Sequence, residues 1–241
     1  MNVFEKHMLD LASRSFERNY NTYSEFLNLD EISTLYSLKL PVKFSLYGGY
    51  EGAERCVALF GDGEKAEYPI SCIKLSPVSR KFADRLTHRD FLGAVMNLGI
   101  NRNTLGDIVI KDNVGYLFCL ESISEYIIRN LTRIKHTTVK CEPEDGSIDF
   151  TPPEPEALEF TVPSLRTDAL CAAVYKLSRN GISELFREKK VFINSRLCEK
   201  ESALLKEGDT VSVRGRGRFV FKNELRQTKK GRLAVRVYVY K

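Results

Sequence analysis

The spacing of apolar and polar positions sorts the chain into stretches of helical and of strand period. "ISCIKL" (70–75) has strand character, and "THRDFLGAVMNLG" (87–99) predicts a helix capped by Thr87 and stopped at Gly99. "GDIVIKDNVGYLFCL" (106–120) sets two apolar runs around Asp112-Asn113, a hairpin signal. Ile123, Ile127, Ile128 and Leu131 then recur at helical spacing, and "TTVKC" (137–141) closes as a strand. Upstream, helices are expected near 2–18 and 22–38, followed by a β-rich segment from Val42 to Phe60. Downstream, Leu170, Ala173, Val174 and Leu177 form one helical stripe. Ile182, Leu185 and Phe186 form a second, after the polar joint Ser178-Arg179-Asn180-Gly181. "KVFIN" (190–194) reads as a short strand, and "KEGD" (206–209) turns into the strand "TVSVR" (210–214).

Over residues 70–142 the predicted order is β-α-β-β-α-β, a ferredoxin-like split unit. Five of the eight prolines fall between Pro143 and Pro163, among many acids and few bases. Proline fixes φ and removes a backbone donor, so 143–163 is expected to be an extended linker poor in regular structure. The fold class that follows is α+β. A mixed body, with a subdomain over 1–69 and the ferredoxin-like subdomain over 70–142, precedes the linker and a C-terminal domain over 164–241.

The segment "VSVRGRGRFVF" (211–221) alternates arginine and glycine between Val211, Val213, Phe219 and Phe221. A disordered Arg-Gly tail would lack that apolar alternation, and "RLAVRVYVYK" (232–241) repeats it. The two runs predict a β-pair returning through "TKKGR", with a basic turn at its tip. Arg214, Arg216 and Arg218 share a parity, so a continuous strand would line them on one face. Gly215 and Gly217 either bend that strand or let a nucleic-acid backbone come close.

Charge sharpens this picture. The chain of 241 residues is 43% hydrophobic and 29% charged, with formal net charge +5. From Ser164 to Lys241 there are 19 Lys and Arg against 8 Asp and Glu, a net of +11, so the remainder carries −6. A basic module on a mildly acidic body points to a polyanionic partner. No apolar run is long enough for a membrane helix, and the N-terminus mixes acids and bases on a helical pattern, unlike a secretory signal. Cys56, Cys72, Cys119, Cys141, Cys171 and Cys198 are scattered, mostly among apolar neighbours, which suits free thiols in a reducing cytoplasm. His7, His88 and His136 add no zinc-ligand spacing, and neither a metal nor a small-molecule cofactor is expected.

Residues 165–213 resemble the S-four (alpha-L) RNA-binding domain. The matching features are Arg166 and Asp168 opening the first helix, Ser178-Arg179 between the helices, then Val191, Ile193, Asn194 and "EGDTVSVR". Thr167 stands where leucine is usual. Lys189 stands where glycine, which permits φ > 0, is usual, and it adds a positive charge. The start of the second helix offers backbone donors and a partial positive charge, to which Arg179 adds a formal one. Guanidinium groups hold phosphates bidentately and stack on unpaired bases, so a structured RNA is the partner implied.

"HRDFLGAVMNLGINRNTLGDIVI" (88–110), "GGYEGAERC" (48–56) and the closing "RGRGRF…TKKGR" resemble the YlmH-type proteins of Gram-positive bacteria, encoded near cell-division genes. The matched signature takes in Arg89, Asp90, Phe91, Gly93, Gly99, Ile100, Arg102, Gly106 and Asp107. That resemblance implies RNA binding by the 70–142 subdomain, ribosome association, and a role on the large subunit in holding transfer RNA when nascent chains stall.

Enzyme-like fragments fail on their surroundings. "HRD" has Val95 where a kinase loop carries its metal-binding Asn, and "GGYEGAER" lacks the Lys-Ser/Thr of a phosphate loop. The expectation is a non-catalytic protein that binds ribosomal or transfer RNA on the ribosome. Its alternatives are an RNA-modifying enzyme (a pseudouridine synthase or a methyltransferase accessory) and a cell-division scaffold. Candidate RNA contacts are Arg166, Ser178, Arg179, Lys189, Lys190, Asn194 and Arg214. Arg216, Arg218, Lys229, Lys230 and Arg232 would extend that surface. Arg102, in the polar loop "NRN", is the candidate in the body.

Overall fold

A computed structural model describes residues 1–62, 67–144, 150 and 155–240. The chain divides into two compact units, Met1–Glu31 with Leu38–Thr151, and Ile32–Ser37 with Pro152–Lys241.

In the first unit, helix α1 (Val3–Arg18) opens on a reciprocal cap. Asn2 Oδ1 accepts from the Glu5 amide at 2.8 Å, while Glu5 Oε2 accepts from the Asn2 amide at 3.1 Å. Met8, Ala12 and Ser15, spaced at i, i+4 and i+7, are its buried face. The helix expected over 22–38 is shorter: Thr22–Leu27 is strand β1, and helix α2 (Leu29–Ser37), whose residues Ile32–Ser37 belong to the second unit, starts only after it. "TYSEFL" pairs antiparallel with β3 (Cys56–Phe60), and Phe26 is fully buried there. Asn28 then caps α2, its Oδ1 accepting from the amides of Asp30 (2.9 Å) and Glu31 (3.1 Å). Strand β2 (Phe44–Tyr47) completes a three-stranded sheet of order β1-β3-β2.

The second sheet of this unit is built from β4 (Ile70–Pro77), β5 (Leu105–Lys111), β6 (Val114–Leu120), β7 (Arg133–Ile134) and β8 (Thr137–Pro143). Helix α3 (His88–Met96) lies between β4 and β5 in sequence, and α4 (Glu121–Asn130) between β6 and β7. All pairings are antiparallel, in the order β5-β6-β4-β8-β7. Asp112 and Asn113 both take positive φ (50° and 63°), which makes the tight turn from β5 to β6. One face of the sheet, with Ile73, Leu75, Leu117 and Cys119, shares a core with Phe91, Val95 and Ile127 of the two helices. The opposite parity places Phe118 against Phe26 and Val57 of the first sheet. The three-stranded sheet and the sheet of β4 to β8 therefore share a core, and burying each such aromatic is worth about 1.5–3 kcal/mol. Two glycines let the layers close: a Cβ on Gly106 would lie 2.6 Å from the Phe26 ring, and one on Gly115 2.5 Å from Phe91.

In the second unit, α5 (Thr167–Tyr175) and α6 (Arg179–Arg187) accompany a six-stranded sheet. Its strands are β9 (Glu156–Val162), β10 (Val191–Ile193), β11 (Arg196–Leu197), β12 (Thr210–Val213), β13 (Gly217–Gln227) and β14 (Leu233–Tyr240), ordered β11-β10-β12-β13-β14-β9. Leu170, Cys171, Ile182, Leu185 and Phe186 share one core with Val191, Val211, Phe219, Val235 and Val237.

This unit corrects the linker expected over 143–163. Glu156–Val162 pairs with β14 residue by residue, from Leu233↔Val162 to Val239↔Glu156. Pro155 and Pro163 flank the strand, where a missing amide costs no ladder bond, so the prolines bound the element rather than forbid it. The expected linker residues 145–149 and 151–154 lie outside the described residues.

The continuous strand expected through "RGRGR" is also corrected. Residues 214–216 form a tight turn joining β12 to β13, closed by the Arg216 amide donating to the Val213 carbonyl at 2.9 Å. Gly215 (φ +81°) and Gly217 (φ +98°) supply the positive φ this turn requires. The register aligns Val213 with Gly217, so Arg214, Arg216 and Arg218 do not line one strand face. The returning hairpin of β13 and β14 does form, with Thr228–Arg232 as its turn.

Candidate nucleic-acid interface

The basic surface of the second unit starts at the joint of α5 and α6. Lys176 ends α5 in the left-handed region (φ 52°), and Ser178 caps α6, its Oγ accepting from the Gly181 amide at 3.3 Å. Arg179 is then the first helical residue and is exposed. No described residue accepts from the amides of Arg179 or Asn180, so two backbone donors and a guanidinium face outward at the positive end of the helix.

The turn between β12 and β13 comes to the same end of α5. Tyr175 Oη donates to the Gly217 carbonyl at 3.0 Å, and the Arg216 charge acts on that phenol. Burial is the larger effect and pushes the Tyr175 hydroxyl well above its usual range. Arg214 donates its amide to the Lys190 carbonyl at 2.9 Å and holds its guanidinium over the Phe192 ring, 5.6 Å from the centroid. The structure thus brings Arg214 beside Lys190, and Arg216 beside the end of α5.

Lys189 occupies the left-handed region at φ 54°, where glycine is the usual choice. The Lys189 amide donates to the Phe186 carbonyl (3.0 Å) and the Lys190 amide to that of Leu185 (2.9 Å), the double bond pattern of a Schellman cap. Thr167 is fully buried, and its hydroxyl donates to the Ala203 carbonyl at 2.9 Å, so the buried polar side chain is satisfied.

Other candidates are already engaged. Arg166 grips Asp168 through Nε (3.0 Å) and Nη2 (2.6 Å), at the end of α5 away from the joint. Asn194 sits in the turn from β10 to β11, its Nδ2 donating to Asp209 (2.8 Å) and its Oδ1 accepting from the Thr210 amide (2.9 Å). Lys229, Lys230 and Arg232 belong to the far turn, separated from Arg216 by the length of β13, roughly 30 Å. Arg232 donates there to the Thr161 carbonyl at 2.7 Å and so holds the edge strand β9. Arg218 lies on β13, with its guanidinium carbon 4.8 Å from the Tyr240 ring centroid.

In the first unit, Arg102 is part of a 3-10 turn, Arg102–Thr104, and is half-buried. Its Nη1 donates to the carbonyls of Leu105 (2.6 Å) and Gly106 (3.3 Å). Burial, and then the neighbouring Arg55 charge, lowers the Arg102 guanidinium to about 10. Asp107 ties the two signature segments together, accepting from Tyr50 Oη (3.0 Å) and from the amides of Glu54 (2.7 Å) and Arg55 (3.3 Å).

All six cysteines are unpaired, and burial pushes the thiols of Cys56, Cys72, Cys119 and Cys171 up to about 12. Among the described residues no cluster of His, Cys, Asp and Glu has the arrangement of a metal site, and no helix is long and apolar enough to cross a membrane. Asp107 stands within the signature quoted from the sequence, but its anchoring role, which spans more than fifty residues, has no local signal there.

A family model described as "Putative RNA-binding domain in YlmH" matches residues 63–147. The "Ribosome-associated protein quality control protein P2" of Bacillus subtilis (strain 168) is 32% identical over 181 residues, which cover 73% of this chain and 70% of that protein. A solved structure, "Cell division protein ylmH from Streptococcus pneumoniae", is 21% identical and aligns with a TM-score of 0.45 over 62% of this chain and 97% of that one.

Proposed function

The chain belongs to the YlmH family, and from that premise we propose that it is a non-catalytic RNA-binding protein that works on the ribosome. The partner is ribosomal RNA, transfer RNA or both, on the large subunit, in the handling of stalled translation. The relative from Bacillus subtilis, named for ribosome-associated quality control, supports this reading. So does the family match over residues 63–147, described as an RNA-binding domain.

We read the second unit as an S-four domain and the sheet of β4 to β8 as ferredoxin-like. Supporting the first are the paired helices, the cap at Ser178 and the strands that follow. Supporting the second is the antiparallel order β5-β6-β4-β8, in which the first and third strands of a β-α-β-β-α-β unit lie at the centre. The observation that carries the functional reading is the outward helix end at Arg179, on the α5–α6 joint, with Arg216 beside the same end of α5. Backbone donors, a helix dipole and guanidinium groups at one end of a strongly basic unit are what a folded phosphate backbone requires. Arg179, Lys189, Lys190, Arg214 and Arg216 are the proposed phosphate contacts, with Ser178 shaping the helix end. Arg166 and Asn194 hold the scaffold through Asp168 and Asp209.

Co-sedimentation with separated ribosomal subunits tests this. The wild-type chain is expected in the large-subunit pellet, and the Arg179→Glu/Arg216→Glu variant in the supernatant. Equal sedimentation of the two proteins would mean the assigned surface is wrong. Sedimentation with the small subunit instead would overturn the large-subunit assignment.

A further inference from the structure

The net charge of −6 on the body is unevenly spread. Three of its segments are tied together: residues 78–90, which lead into α3, the β5–β6 turn at 111–113, and the β7–β8 hairpin at 132–142. They hold eight Lys and Arg against four Asp and Glu, a net of +4, so the rest of the chain up to residue 163 carries −10. A positive end on an acidic body draws an anionic partner to that end alone.

The ties fix this end although residues 83–87 form neither helix nor strand. The Asn113 side chain donates to the Asp84 carbonyl (2.9 Å) and accepts from the Leu86 amide (2.8 Å). The Val78 amide donates to the Thr138 carbonyl (3.0 Å), and the Asp84 amide to Thr137 Oγ1 (2.9 Å). Both acids of 78–90 are used within this frame. Asp84 Oδ2 accepts from the His136 amide (3.2 Å), and Asp90 Oδ2 pairs with Lys135 Nζ at 2.8 Å, its side chain only 14% exposed. Three arginines gather around the same turn: Arg85 follows Asp84, Arg89 precedes Asp90, and Arg133 lies two residues before Lys135. All three are exposed, and their guanidinium groups have no acceptor among the described residues. Arg133 alternates with the buried Ile134 on β7 and so points away from the core. The acids face the frame and the arginines face solvent.

We propose that this end of the first unit is an RNA contact of its own, with Arg85, Arg89 and Arg133 holding phosphates of a duplex backbone. Residues 83–90 and 132–142 contain no Phe, Tyr or Trp to take an unpaired base, so the contact reads charge and backbone geometry rather than sequence. Guanidinium groups match phosphate bidentately, and a frame already fixed loses little freedom on binding. All these residues lie within 63–147, the span of the RNA-binding family match, which favours RNA over an acidic protein. The contact rests on the RNA-binding reading but uses none of the residues proposed on the second unit.

The test titrates the full chain, by fluorescence anisotropy over a salt series, onto two labelled RNA duplexes of about 16 base pairs and unrelated sequence. Arg85→Gln/Arg89→Gln/Arg133→Gln should bind both duplexes roughly tenfold more weakly or worse, with the log–log salt slope reduced by about 2–3. Its melting temperature should match wild type, because these side chains hold nothing in the fold. Arg85→Lys/Arg89→Lys/Arg133→Lys keeps the charges and should keep the slope. Asp84→Ala adds net positive charge but cuts the frame from the β7–β8 turn, and it should weaken binding. Tighter binding by Asp84→Ala would reduce the contact to bulk charge and overturn it, as would a Gln variant with wild-type affinity. A loss confined to one duplex would overturn backbone recognition. Labelled polyglutamate that binds as tightly as the duplexes, and is lost with the Gln variant, would assign this end to an acidic protein instead. If only Arg179→Glu/Arg216→Glu weakens duplex binding, the first-unit contact is wrong and the RNA-binding reading stands. If neither duplex binds the wild-type chain, both readings fall.

Discussion

Replacing Lys189 by glycine separates what this residue does for the fold from what it does for RNA. Lys189 takes φ 54° as the left-handed residue of the cap on α6, a conformation that costs an L-residue about 1–2 kcal/mol. Glycine removes that cost but loses more entropy on folding, about 0.5–1 kcal/mol, so a net stabilisation of roughly 0.5–1 kcal/mol remains. The ion pair given up is weak: Nζ lies 3.9 Å from Glu199, and the two side chains are 69% and 74% exposed. For a small cooperative unit the gain raises the melting temperature by about 2–8 °C. Lys189→Ala serves as the comparator, because it removes the same charge and keeps the strained backbone. Calorimetry should therefore place Gly above Ala. In RNA binding across a salt series, both variants should weaken alike, with the log–log slope reduced by about 0.7–0.9, the equivalent of one phosphate contact. A glycine variant no more stable than the alanine one would refute the backbone reasoning. An unchanged salt slope would remove Lys189 from the RNA surface.

Other substitutions probe the first unit. Gly115→Ala forces a methyl to 2.5 Å from the Phe91 ring, and chemical denaturation should record a loss of about 1–3 kcal/mol. Asp107→Ala leaves Tyr50 Oη and the amides of Glu54 and Arg55 without their acceptor; a loss of about 1.5–3 kcal/mol is expected, with faster proteolysis of the 50–55 loop. Asp90 is lowered to about 2, first by its bond with Lys135 and then by those with Thr87. Its stabilisation is thus present above the ordinary carboxylate range and disappears as pH falls through about 2. Asp90→Asn should accordingly melt earlier than wild type near neutral pH, with the gap closing in acid; a constant gap would exclude the charge as its cause.

Much of the secondary structure was legible because local rules and tertiary packing agree. Thr87, Asp112-Asn113 and Ser178 announce a helix cap, a hairpin and a second helix start, and each performs that role. The failures have a common origin. "TYSEFL" has apolar spacing compatible with either period, and pairing with β3 decides for a strand. "EALEFTV" was hidden by flanking prolines, and becomes a strand because β14 offers it an edge. In the candidate interface, the sequence pointed to Arg179 and to the Arg-Gly run as a strand edge, but two glycines with positive φ turn that run into a tight turn and break the expected row of arginines.

By itself, then, the sequence determined the basic second unit, the residue types available for phosphate contact, and most element boundaries, since charge, caps and turns act over a few residues. The tertiary structure decided which of those charges are offered outward. Arg166, Asn194 and Arg232 are bound to Asp168, Asp209 and the Thr161 carbonyl, and Lys229 and Lys230 lie a full strand away from Arg216. Those partnerships join residues distant in the chain, so they depend on strand register and helix placement, which no local pattern encodes.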